Sequence, residues 1–121
     1  MRVIIDLIED VREQIGNHES YEVTAGLLKI DAEDSEKLIY AGEAPLNVIE
    51  LEREKRQLTF KMDGSDKKLT IGELIPFILI LDMEAMLFEL KMDVNAQYKD
   101  MEIVGFGKND EQKRYILFFK I

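Results

Sequence analysis

A chain of 121 residues is one domain by size, long enough for a real hydrophobic core but not for two. Hydrophobic residues make up 46% of it, which argues against disorder even with 34% charged residues. Cysteine is absent, which excludes disulfides, thiol nucleophiles and thiolate-held zinc or iron–sulfur centres and suits a reducing compartment. The formal charge of −9 sits at the front: residues 1–50 hold four basic and twelve acidic side chains, residues 51–121 twelve and thirteen. Such a front half disfavours nucleic acid and anionic membranes and attracts a basic partner, or simply keeps a small domain soluble.

The chain opens MRVIIDLIEDVREQIG. Asp6, Glu9 and Asp10 interrupt its apolar residues too early for a signal peptide, and no small-residue cleavage site follows, so a mature cytoplasmic chain is expected. Ile4, Leu7, Ile8, Val11 and Ile15 recur at helical spacing, predicting an amphipathic helix over roughly 2–15 that lies across a sheet and ends at Gly16-Asn17. His18, the one histidine, follows among turn formers. Glu19 and Glu22 nearby would suit a general base or metal ligand, but no second histidine stands at ligand spacing, so an exposed loop residue is expected.

YEVTAGLLKI and KLIYAGEAPL flank the polar DAEDSE and predict a hairpin of about 22–30 and 36–43, with Pro45 ending the second strand. DAEDSE resembles a calcium loop in composition only, because the sixth and twelfth positions hold Glu36 and Gly42. Leu58, Phe60 and Met62 alternate with Thr59 and Lys61 as a half-buried strand. Val48 to Leu51 either begins that strand or forms a separate short one paired with it; EREKRQ is then solvated strand or a charged bend. Arg53, Lys55, Arg56, Lys61, Lys67 and Lys68 surround Phe60, but Glu52, Glu54, Asp63 and Asp66 interrupt them. A solvated surface is expected there, not a nucleic-acid groove.

Thr70 to Glu73 spells T-I-G-E, a capping box that opens a helix just before the uncharged run LIPFILIL, Leu74 to Leu81. Eight residues followed by Asp82 and Glu84 are too few to span a membrane. Pro76 leaves two alternatives, a helix capped by Thr70 with proline inside it or one starting near Ile75, with a strand over Phe77 to Leu81 as a third. Residues 83–94 fit both periods, and scarce β-branched residues tilt them toward helix. The tail predicts a hairpin of 101–107 and 113–121, with a bulge or a close backbone approach at Gly105-Phe106-Gly107. YILFFKI, apolar on both faces, suits a central strand.

The elements add to an α+β two-layer domain in the order α-β-β-β-α-β-β: a mainly antiparallel sheet of about five strands with two helices on one face. No nucleotide or nucleophile motif is present, and carboxylate pairs such as Glu9/Glu13 or Asp82/Glu84 arise by chance among 25 acidic residues. No catalytic residue, metal ligand or cofactor is therefore assigned, and a non-catalytic, protein-binding or regulatory homodimer is expected. Two surfaces are candidates: an acidic face of Asp6, Asp10, Asp31, Asp34 and Glu36, and an apolar interface of Phe77, Ile80 and Leu81.

The element order and acidity resemble those of secretion-effector chaperones, although the long C-terminal helix of that family is missing here. The resemblance implies binding of an extended client. An immunity-type inhibitor, masking a basic site with one concentrated acidic patch, is the alternative in the same class; an enzyme working through carboxylates is the weakest.

Overall fold

The computed structural model describes residues 1–15 and 19–121; the expectations for Gly16, Asn17 and His18 lie outside the described residues. Helix α1, Ile4–Gln14, buries Ile4, Leu7 and Val11, and the Val3 amide donates to Asp6 at its start (2.9 Å). Each of those side chains contributes about 1.5–3 kcal/mol by leaving water. Strands β1 (Glu22–Ile30) and β2 (Leu38–Pro45) form the expected hairpin. Strands β3 (Val48–Glu52) and β4 (Gln57–Lys61) are separate and antiparallel, so EREKRQ is mostly a charged bend, closed by Arg56 at φ 54°.

Helix α2, Ile71–Leu79, settles the proline question. The Thr70 hydroxyl accepts from the Glu73 amide (3.3 Å), and Pro76 stands inside the helix. Ile71, Leu74 and Ile78 face inward. After a short 3-10 turn at Ala85–Leu87 comes β5, Glu89–Asp93, then β6 (Met101–Asn109) and β7 (Arg114–Lys120). The helical preference at 83–94 is thus corrected. Leu90 and Met92 align with Leu58 and Phe60 of the parallel β4, and that non-local pairing outweighs weak local propensity.

Among the described residues the sheet has seven strands in the order β2-β1-β7-β6-β5-β4-β3, and it is mixed. This corrects the expected five-stranded, mainly antiparallel sheet. The pairs β1–β7 and β4–β5 are parallel: the first joins the two ends of the chain, and the second is bridged by α2. The terminal strand is central, as YILFFKI implied, and β6 is irregular between Ile103 and Gly105, just before the expected Gly105-Phe106-Gly107, which itself pairs regularly with β7.

The sheet curls strongly. The Leu46 amide donates to Val23 of β1 and the next amide, Asn47, to Lys61 of β4, strands four places apart in the order. Asn47 holds that corner: its buried side chain donates to the Lys67 carbonyl and accepts from the Asp63 amide (3.0 Å). The concave face carries one core, in which Val23, Ala25, Phe60, Leu90, Ile103, Tyr115, Leu117 and Phe119 meet the inward residues of both helices. Leu28, Tyr40, Ile116 and Phe118 are outside that core, on the opposite face, which neither helix covers.

Candidate functional site

The uncovered face has two unlike halves. On β3-β4-β5 every outward position is polar or charged apart from Val48, and its groups bind one another. Gln57 Nε2 donates to Thr59 Oγ1 (3.1 Å), which donates to Glu52 (2.8 Å), and Lys61 pairs with Glu50 (2.6 Å). The Thr59 hydroxyl holds the Glu52 carboxyl below its usual range against the opposing effect of burial, and Glu50 raises Lys61.

On β2-β1-β7 the outward positions include the apolar Leu38 and Tyr40, Leu28 and Ile30, Ile116 and Phe118, with Thr24, Glu43 and Arg114 toward one end and Lys120 at the other. Glycine makes this surface possible: a Cβ on Gly26 would lie 2.7 Å from both Ile116 and Phe118, and one on Gly107 2.7 Å from Phe118. The Phe118 ring therefore lies between two bare positions, with Tyr40 edge-on at 6.0 Å.

Glu43 ties this half to the sheet margin. It accepts from the Thr24 and Tyr40 hydroxyls, both at 2.6 Å, and pairs with Arg114 at 3.6 Å. Its side chain is only 13% exposed. Burial, then Glu43, pushes the Tyr40 hydroxyl up to about 12. With both carboxylate oxygens engaged, Glu43 braces β2 and is poorly placed to take a proton from a substrate.

Strand β2 is one edge of the sheet; among the described residues no strand pairs with its outer side. Natural edges are usually short, charged or bent away. The other edge, β3, obeys this with five residues including two glutamates. Strand β2 has eight residues and a single charge, Glu43, which is already bound. Its segment Leu38-Ile39-Tyr40-Ala41 is exposed on both sides. On the concave side a cavity of about 210 Å³, lined by Ala25, Leu27, Gly42, Ala44, Tyr98 and Phe119 among others, opens along the same strand.

The predicted surfaces fare differently. Asp6 and Asp10 line a cleft of about 390 Å³ with Glu9, Glu13 and Arg2, against Gly105 and Phe106 of β6. Asp6 caps α1, and Asp10 accepts from the buried Tyr115 hydroxyl (2.6 Å), which burial and then Asp10 hold protonated well above the usual range. Asp31 and Asp34 instead accept from the Glu33 and Glu36 amides within the β1–β2 turn. Tyr115 sits beside Val23, and Ile30 lies seven residue steps further along β1, about 23 Å at the usual strand rise. The five carboxylates are two groups, not one patch. Among the described residues no cluster of acidic or imidazole groups could hold a metal ion.

Of the apolar trio, Ile80 is 81% exposed, whereas Phe77 and Leu81 are half-buried against the core. Leu79, Met83 and Leu87, in the same stretch of chain, are exposed as well. Reading the sequence missed Tyr40, Glu43 and the free edge. The available signal was LIYAGEAP itself, a strand with one charge beside a proline that keeps it from the sheet interior.

Compared with known proteins, the chain matches no family model, no curated protein and no solved structure. No helix of the described residues is long and apolar enough to cross a membrane.

Proposed function

We propose that this chain is a protein-binding domain whose docking element is the free edge of β2, with the apolar half of the uncovered sheet face beside it. One observation carries the reading: β2 is long, nearly uncharged and unpaired on its outer side among the described residues, and it exposes apolar side chains on both faces. Backbone groups on such an edge hydrogen-bond an added strand, and the flanking surfaces receive its alternate side chains. The Glu43 brace supports this by holding the strand ready, which lowers the ordering cost of binding.

Client binding of the chaperone type is one form of this reading, since an extended client suits a free edge. The inhibitor alternative loses support, because its single acidic patch is divided between two sites. The test is selection of random displayed peptides against the dilute chain, with backbone amide shifts mapping each binder. Binders with alternating apolar residues that perturb residues 38–44 are expected. Binders that perturb only other surfaces, or none at all, sink the reading.

A further inference from the structure

We infer that the strand laid against β2 is that of a second copy of this chain, antiparallel and two-fold, with the axis passing between Tyr40 and Ala41. This rests on the edge-docking reading above and names its partner.

The strand's own side-chain pattern leads there. Pairing with β1 puts Leu38, Tyr40 and Glu43 on the uncovered face and Ile39, Gly42 and Ala44 on the concave one, with the register shifting beside Ala41. Residues opposite one another in an antiparallel pair share a face. The stated axis sets Leu38 opposite Glu43 of the other copy and Ile39 opposite Gly42, so the faces match on both sides of the bulge. Moving the axis onto Tyr40 would put Leu38 opposite Gly42, outward against inward.

Two further features fit the same register. Ile39, 43% exposed in the single chain, is delivered to Gly42 of the other copy, at the margin of the 210 Å³ cavity. Gly42 has φ 153°, and nothing stands where its side chain would be, so the approach is clear. A dry cavity of about 150 Å³ already takes a benzene ring, so one aliphatic side chain is accommodated.

Charge supplies the second. Continued past the start of the strand at Leu38, the register brings the turn that holds Glu36 toward Pro45 of the other copy. There Lys68 (side chain 60% exposed) lines a small cleft with Glu22, Glu43, Pro45 and Arg114. Arg114 pairs with Glu43 (3.6 Å) and Lys68 with Glu22 (3.4 Å), leaving the exposed Lys68 ammonium as the group that takes a second carboxylate. Two-fold symmetry makes this contact twice, so Glu36 of each copy meets Lys68 of its neighbour. Repulsion between two chains of −9 acts over longer distances and is screened beyond about 8 Å at physiological salt, whereas these pairs are local.

The experiment is sedimentation of the full chain across a concentration series, with circular dichroism checking the fold of each variant. A dimer is expected, and Ile39→Lys, at an exposed edge position, should weaken it at least tenfold. Glu36→Lys should weaken it several-fold, and Lys68→Glu in the same chain should restore most of the loss. Because the chain has no cysteine, Ala41→Cys should cross-link copy to copy through a short thiol reagent, whereas Glu50→Cys on β3 should not. A monomer at all concentrations overturns the inference, as does a dimer that ignores Ile39→Lys but breaks on Ile80→Glu. A monomer that still takes selected peptides at residues 38–44 leaves the edge-docking reading standing; one that takes none ends both.

Discussion

The two halves of the uncovered face solve one problem in opposite ways. Both cover the back of a sheet whose concave side holds the core, and neither has a helix over it. The β3-β4-β5 half closes itself: Gln57, Thr59, Glu52, Lys61 and Glu50 satisfy one another, and the edge strand carries two glutamates that discourage pairing. The β2-β1-β7 half leaves Leu38, Tyr40 and Ile30 open on the same face as Phe118 and ends in an edge with one engaged charge. A single sheet can thus present one finished surface and one that invites a partner. What differs is the outward residue at every second position.

The largest expected effect tests whether the halves differ only on the outside. Phe60→Ala beneath the charged half should cost about 3–5 kcal/mol and Leu117→Ala beneath the apolar half about 2–5 kcal/mol, measured by denaturant unfolding. A Leu117→Ala cost near zero would mean the apolar half lacks a shared core.

On the apolar half itself, Gly26→Ala forces a methyl to within 2.7 Å of Ile116 and Phe118 and should cost about 1–3 kcal/mol. Loss of the Tyr40–Phe118 contact should appear in near-ultraviolet dichroism. An unchanged stability would show that Phe118 is free to swing away.

Thr59→Val on the charged half keeps shape but removes the hydroxyl between Gln57 and Glu52. A loss of about 1–2 kcal/mol at neutral pH is expected. Because the Thr59 hydroxyl is the main cause lowering Glu52, the variant should also raise the Glu52 carboxyl, seen by side-chain carbon shifts. A depressed carboxyl gives stability that is present above the unfolded value and lost as pH falls through the folded one. The variant should therefore lose less on acidification below about pH 4.5 than the natural chain.

Tyr40→Phe should cost about 1 kcal/mol at neutral pH. The folded state holds the Tyr40 proton more tightly than the unfolded chain, which releases it near pH 10. The advantage over Tyr40→Phe is full below pH 10 and declines as pH climbs toward about 12. Unfolding midpoints of the two proteins at pH 8 and 11.5 check this, and a gap that widens at high pH would contradict the sign.

Smallest is Lys61→Ala. Its pairing with Glu50 is partly exposed and should be worth under about 1 kcal/mol, falling further in high salt. A larger loss would mean the charged half depends on that pair more than its exposure implies.

The elements most legible from the chain alone were those set by near neighbours. The spacing of Ile4, Leu7 and Val11, the Thr70 cap, the β1–β2 hairpin and the terminal hairpin all express local rules of period and capping. Residues 83–94 failed for the opposite reason. Leu90 and Met92 become strand because β4 waits beside them, and nothing within a few residues says so.

What the sequence determined by itself was an acidic α+β chain, an amphipathic first helix, a helix start capped by Thr70, and a C-terminal strand apolar on both faces and hence central. The tertiary structure alone decided the seven-strand order, the two parallel pairings, the division of the carboxylates and the identity of the edge. Edge and centre are properties of what lies alongside a strand, and long-range pairing follows from the sum of many weak contacts. A period read along the chain records which side of a strand is apolar; it does not record which strand comes next.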